Sequence, residues 1–230
     1  MKLSESTIEI LKNFATLNQS LRFRKGSELT TITPGKTVLA KARVVESFPS
    51  EFALYDLTKF LAKFSLYGKD CDIELKSDRL VFKSADGRRS DSVILGGSTV
   101  APHIDKKIDM EDPDITFELS QDDLNWQRRS AGVSASEHMV FRGDGKKIHL
   151  QSTSLKDDSS DVSSTEIGKT DKTFLYVLKL EFWKMIDGNY TVSLKKFVDD
   201  KGKVGGLTKF QNKDKPVEYY IAVDSTLSKL

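Results

Sequence analysis

Residues 1–20, MKLSESTIEILKNFATLNQS, put Thr7, Ile10, Leu11, Phe14 and Leu17 on one side of a helix drawn at about 100° per residue. Glu5, Glu9, Lys12 and Thr16 fall on the other side. A helix with one apolar stripe has to bury it, so the segment predicts a helix over Ser4–Asn18 docked on a second layer. Strands follow at once in LRFRK (21–25), ELTTIT (28–33) and TVLAKARVV (37–45), which are broken at Lys25-Gly26 and Pro34-Gly35. A second helix is predicted over Ala53–Leu66, with Ala53, Leu57, Phe60, Leu61 and Phe64 facing inward and Tyr55, Lys59 and Lys63 facing out. CDIEL (71–75) and RLVFKSA (79–85) return to strand through Ser77-Asp78, and Asp86-Gly87 opens a turn.

The plan then repeats. DITFEL (114–119) reads as a strand, and Ser120 with Asp123 resembles a capping box opening a helix through about Ala135. In that helix Leu124, Ala131 and Ala135 share a face, Arg129 points away and Arg128 lies on the flank. Trp126 and Val133 fall on the wrong side, which predicts an irregularity near Gly132 or a covering neighbour. HMVFR (138–142) and KKIHLQST (146–153) form a hairpin about Asp144-Gly145, and the polar stretch Leu155–Thr165 reads as a mobile loop. TFLYVL (173–178) is a buried-looking strand, and KLEFWKMI (179–186) is a short helical piece ended by Asp187-Gly188. YTVSLKKFV (190–198), GLTKFQ (206–211) and VEYYIAV (217–223) complete the second set of strands.

Between the halves, from Ala101 to Asp114, periodicity fails and charge accumulates between Pro102 and Pro113. The expected organisation is a domain over 1–104, a connector over 105–114 and a domain over 115–230. With 38% hydrophobic residues in 230, the chain can fill two modest cores.

Composition removes several functions. No run approaches the roughly 18–20 apolar residues of a membrane span, and the first residues lack the apolar core of a signal peptide, so a soluble cytosolic protein is expected. Cys71 is alone, and His103, His138 and His149 have no ligand-like spacing, which leaves no metal site to assign. The net charge is only +2 although 30% of residues are charged, so any nucleic-acid contact requires local segregation of charge. Gly35-Lys36-Thr37 spells the end of a phosphate-binding loop but lacks its earlier glycine, and Asp144-Gly145-Lys146-Lys147 reads as a turn. Asp122-Asp123, Asp157-Asp158 and Asp199-Asp200 sit at a helix start or in polar loops, where capping and solvation account for them. No catalytic residue and no cofactor are assigned.

MKLSESTIEILKNFATLNQS, together with ALYDLTKFLAKFSL (53–66), DGNYTVSL (187–194) and VEYYIAVDST (217–226), resembles the DNA polymerase sliding clamps of T-even-type tailed phages. The resemblance implies the α+β DNA-clamp fold: two similar domains, each with two helices packed on antiparallel sheet, in a chain that closes head-to-tail into a homotrimeric ring. It implies a protein that encircles duplex DNA without reading sequence and tethers the replicative DNA polymerase and other clients. An ATP-dependent clamp loader would place it on DNA, in the cytoplasm of the bacterial host and with no membrane association.

On the residues alone, the lysines of the helix faces read as a solvated surface. In clamps the helices line the hole, so the resemblance makes Lys12, Lys59, Lys63, Arg129 and Lys184 the DNA-facing set, with Arg128 beside them. It also implies an apolar client-peptide groove near the connector, for which Ile104, Ile108, Met110, Tyr220 and Ala222 are candidates. Pinning the connector to the sheet accounts for these residues equally well; the connector is more charged and less proline-rich than the phage pattern, and STLSKL (225–230) is a basic tail. Two other classes stay open at this point: a self-associating scaffold with no DNA role, and an enzyme built on an acidic cluster.

Overall fold

The computed structural model describes residues 1–97, 100–102, 108, 110–156, 159–198 and 202–230. The chain forms two compact units, Met1–Lys107 and Ile108–Leu230. The connector residue Ile104, the histidine His103 and the acidic pairs Asp157-Asp158 and Asp199-Asp200 lie outside the described residues.

The first unit runs α1 (Glu5–Leu17), β1 (Leu21–Phe23), β2 (Gly26–Ile32), β3 (Val38–Phe48), β4 (Phe52–Leu54), α2 (Leu57–Tyr67), β5 (Asp72–Leu75), β6 (Arg79–Lys83) and β7 (Ser90–Ile94). Its strands order as β4-β1-β2-β3 and β5-β6-β7, and every pair is antiparallel. Helix α1 buries Thr7, Ile10, Leu11, Phe14 and Leu17, the five residues of the predicted stripe, and packs on α2, β2 and β3. Its first turn is closed by Ser4, whose Oγ accepts the Thr7 N–H at 3.2 Å. The Ser4 N–H and the Thr7 hydroxyl in turn donate to the Glu46 carboxylate of β3, so the sheet caps the helix.

Helix α2 starts later than the periodicity predicts. Phe52–Leu54 pairs with β1 as a strand, placing Ala53 opposite Arg22, and Asp56 becomes the N-cap by accepting the Lys59 N–H at 2.8 Å. The three residues are all buried, which suits a short strand as well as a helix face. Phe52 stacks on Phe23 at 4.5 Å, and Phe48 meets Phe23 edge-on at 4.9 Å, which fixes β4 in the core. Strand β7, which the periodicity did not single out, pairs with β6.

The second unit runs β8 (Ile115–Leu119), α3 (Gln121–Val133), β9 (His138–Asp144), β10 (Lys147–Thr153), β11 (Ser163–Lys169), β12 (Thr173–Lys179), a single 3-10 turn (Leu180–Phe182), β13 (Tyr190–Val198), β14 (Val204–Asn212) and β15 (Val217–Ala222). The strands order as β11-β10-β9-β12 and β15-β14-β13-β8. Phe141 on β9 is a hub of the core, with ring centroids 5.1 Å from Phe117 and 5.7 Å from Trp183. The α+β reading holds, with helices on antiparallel sheets.

Three expectations are corrected here. Helix α3 ends at Val133, and Ala135 lies beyond it at φ 46° and is exposed, so it shares no face with Leu124 and Ala131. The stretch read as a loop up to Thr165 is strand from Ser163 onward, because backbone pairing with β10 does not depend on apolar side chains at an edge. The helical piece at 179–186 is one 3-10 turn. The Trp183 and Met185 carbonyls, which a longer helix would bond internally, instead accept from the Arg128 guanidinium at 3.1 and 3.2 Å.

Candidate nucleic-acid interface

Lys12 stands on α1 and Lys59 on α2, both exposed and both opposite the buried stripes of their helices. The two helices pack against each other, and near Lys12 their walls enclose a groove of about 300 Å³ floored by Leu3, Ile8, Leu61 and Phe64. Glu5 and Glu9 flank Lys12, which dilutes the positive field of α1. In the second unit Arg129 is exposed on α3, its Nε donating to the Asn125 carbonyl one turn back at 3.3 Å. Lys184 is exposed just after the 3-10 turn.

The other two cations of the predicted set are tied down. The Lys63 ammonium donates to Asp91 at 2.7 Å and to the Ser92 carbonyl at 3.1 Å, with 23% of its side chain exposed. Lys63 therefore pins α2 to β7. Its bond and the Tyr67 hydroxyl at 2.9 Å hold the Asp91 carboxyl below the usual carboxylate range. Arg128 binds Asp187 at 2.9 Å as well as the two carbonyls of the 183–185 segment. Lys63 thus donates two bonds and Arg128 three within the protein, while the Arg128 Nε is buried without a partner among the described residues.

Of the predicted client-groove residues, Ile108 and Met110 are half-buried. Tyr220 and Ala222 share one face of β15, since successive strand residues alternate. Tyr220 is 6% exposed, and its hydroxyl donates to Glu218 at 2.8 Å while the Lys209 ammonium lies 5.7 Å from its ring centre. Lys209 and Glu218 pair at 2.8 Å and so cover the ring. Burial, with Glu218 adding to it, pushes the Tyr220 phenol well above its ordinary range.

One residue of α3 carries information that periodicity missed. Gln127 is fully buried, and its amide donates to the Leu150 carbonyl at 3.1 Å and to Thr165 at 2.8 Å, so a polar side chain docks this helix on β10 and β11. Trp126 is 58% exposed and Val133 is 89% exposed, on the same outer face as Arg129. A glutamine on a predicted inner face is the only trace such a contact leaves in a sequence.

Among the described residues, no group of three His, Cys, Asp or Glu side chains is placed to hold a metal ion, and no helix is long and apolar enough to cross a membrane.

No family model matches the chain. The chain is 30% identical to the sliding clamp of Enterobacteria phage T4 over 98% of its own length and 99% of that protein. It is 25% identical to the sliding clamp of Vibrio phage KVP40 over 98% of its length and all of that protein. Among solved structures, the Proliferating Cellular Nuclear Antigen of Entamoeba histolytica superposes with a TM-score of 0.67 over 95% of each chain, at 12% identity. The A. fulgidus PCNA, solved with the C-terminal region of FEN-1 bound, superposes with a TM-score of 0.66 over 94% of each chain, at 14% identity.

Proposed function

The chain belongs to the phage sliding clamps, and on that basis we propose that three copies close into a ring around duplex DNA and hold the replicative polymerase at its template. Processivity then comes from topology, since a closed ring cannot leave a duplex sideways whatever its affinity. The reading requires no catalytic residue and no cofactor of the clamp itself. The full-length match to a phage clamp carries it.

Ring closure by strand pairing needs one open sheet edge in each unit. In the three-stranded sheet, the outer edge of β5 is occupied by Met1, whose carbonyl accepts the Ile73 N–H at 2.9 Å. In the four-stranded sheet, the outer edge of β12 is bonded to residues 224–229. Among the described residues β7 and β11 are the remaining edges of these two sheets. Bonds from Leu95 N–H to Asp78 and from Ser84 N–H to Arg89, with the β6–β7 register, turn the backbone groups of Ser90, Ser92 and Ile94 outward, and of these the Ser92 carbonyl is taken by the Lys63 side chain. Ile94 is 70% exposed there. We assign the subunit contact to β7 of one copy and β11 of the next, a head-to-tail arrangement that closes if the rotation allows. On this reading Lys63, which bonds Ser92, acts at the subunit contact, and Arg128 acts within its own unit.

Lys12, Lys59, Arg129 and Lys184 form the DNA-facing set that remains. Flexible side chains on phosphates give a sequence-independent, salt-sensitive attraction that does not stop sliding. A closed ring also needs an ATP-driven loader to pass onto DNA without ends. Client proteins dock by peptide segments, as the FEN-1 segment does on its own clamp, and Ile108, Met110, Tyr220 and Ala222 are the proposed groove on this chain, to which Ile104 would be added. The work takes place in the cytoplasm of the host cell.

Changing Lys12 and Lys59 together to Glu should shorten polymerase extension products on primed circular template at moderate salt while gel filtration still shows the ring. Unchanged product lengths with an intact ring would remove these residues from the DNA-facing set.

A further inference from the structure

We infer that β12 carries a second strand-pairing surface for another copy of this chain, and that residues 224–230 mask it. Thr173–Leu178, TFLYVL, contains no charge, no proline and no glycine and is rich in β-branched and aromatic residues. Such a segment pairs readily with copies of itself when its edge is open. It occupies the last position of the sheet β11-β10-β9-β12, where it would present a full row of backbone donors and acceptors.

The row is occupied. The register with β9 turns the backbone groups of Leu175 and Val177 outward. Leu175 exchanges both its bonds with Lys229, N–H to carbonyl at 2.9 Å in each direction. The Val177 carbonyl accepts the Asp224 N–H at 2.8 Å, and the Val177 N–H donates to the Ser228 hydroxyl at 3.0 Å. Asp224 shapes the turn between them by accepting the N–H and hydroxyl of Thr226 at 3.0 and 2.6 Å. Residues 224–229 thus satisfy all four outward backbone groups in the middle of β12.

The two edges assigned to the subunit contact, β7 and β11, are protected by composition. Strand β11 carries Glu166 and Lys169, and β7 carries Asp91, so indiscriminate pairing is penalised there. Strand β12 has charge only at its end, Lys179, and relies on the cover. In a chain that assembles through sheet edges, a third open edge would divert copies from the closed ring into open aggregates. That consequence rests on the ring reading, whereas the masking itself does not.

The test compares the full chain with a chain lacking residues 224–230 by sedimentation velocity over a range of concentrations, with circular dichroism as the check of folding. The shortened chain should form concentration-dependent species heavier than any the full chain forms. Adding Leu175→Lys, at a half-exposed edge position, should abolish them by placing a charge on the uncovered strand. If the shortened chain does not fold, Lys229→Pro in the full chain decides: it removes the N–H given to Leu175 and should produce the heavier species on its own. A folded shortened chain that sediments like the full one, or heavier species that survive Leu175→Lys, would overturn the inference. Ser92→Pro on β7 separates the two readings, because it should dissolve the ring in both chains and leave the heavier species intact; a full chain that never forms a ring would sink the ring reading alone.

Discussion

Glu46 closes the first turn of α1 from a neighbouring strand, a task more often done within the helix. Partial burial pushes its carboxyl up, but the Thr7 hydroxyl and the Ser4 N–H outweigh that and hold it below its ordinary value of 4.5. Because the folded-state value is depressed, the contribution to stability is complete above pH 4.5 and is lost as pH falls through the folded value. Glu46→Gln should cost about 1–2 kcal/mol near neutral pH, at the lower end for a charged hydrogen bond because the group is partly solvated. Urea unfolding across the acid range should show wild type and variant converging as pH drops; a constant gap would mean the carboxylate charge is not what matters. Lys63 and Arg128 teach a related lesson. Their acceptors Asp91 and Asp187 lie 28 and 59 residues away, so no local reading could separate them from Lys12 and Lys59, which look the same on a helical wheel.

Elements were readable in proportion to how much their cores rely on apolar periodicity. Helix α1 buries five residues at helical spacing, and the sequence predicts its face and, to within one residue, both its ends. Helix α2 was begun four residues early, because Ala53 and Leu57 fit one helical face while Phe52–Leu54 fits a buried strand equally well. Helix α3 was the least clear because its docking residue is Gln127, and the turn after β12 was overextended because Arg128 takes the carbonyls a helix would use. TFLYVL reads as interior from its composition, and it is covered on its open edge by residues far along the chain. Arg128→Ala should destabilise the second unit by about 1–3 kcal/mol, chiefly through the Trp183 and Met185 carbonyls it leaves without a partner, since Asp187 is 63% exposed and its pair adds little. Denaturant unfolding checks this, and a variant of unchanged stability with weakened DNA retention would return Arg128 to the DNA-facing set.

The repeated helix-and-sheet plan, the two units and the family follow from the sequence because they rest on patterns spread over most of the chain. Assembly was less legible, since it depends on which edges stay open. That is decided by Met1 on β5 and by residues 224–229 on β12, contacts that bring distant parts of the chain together without any signature of spelling. On the proposed ring, two short, partly charged edges would make a contact that a loader could open, as a protein placed on DNA and later recovered would need. The most direct test is retention on closed circular against linearised duplex, after loading with the matching loader and ATP, followed by gel filtration at moderate salt. Encirclement predicts that the protein co-elutes with the circle and is lost when the same DNA is cut; equal retention on both forms, with loading confirmed by the loader's DNA-dependent ATP hydrolysis, would show that the protein is held by contact and contradict the account.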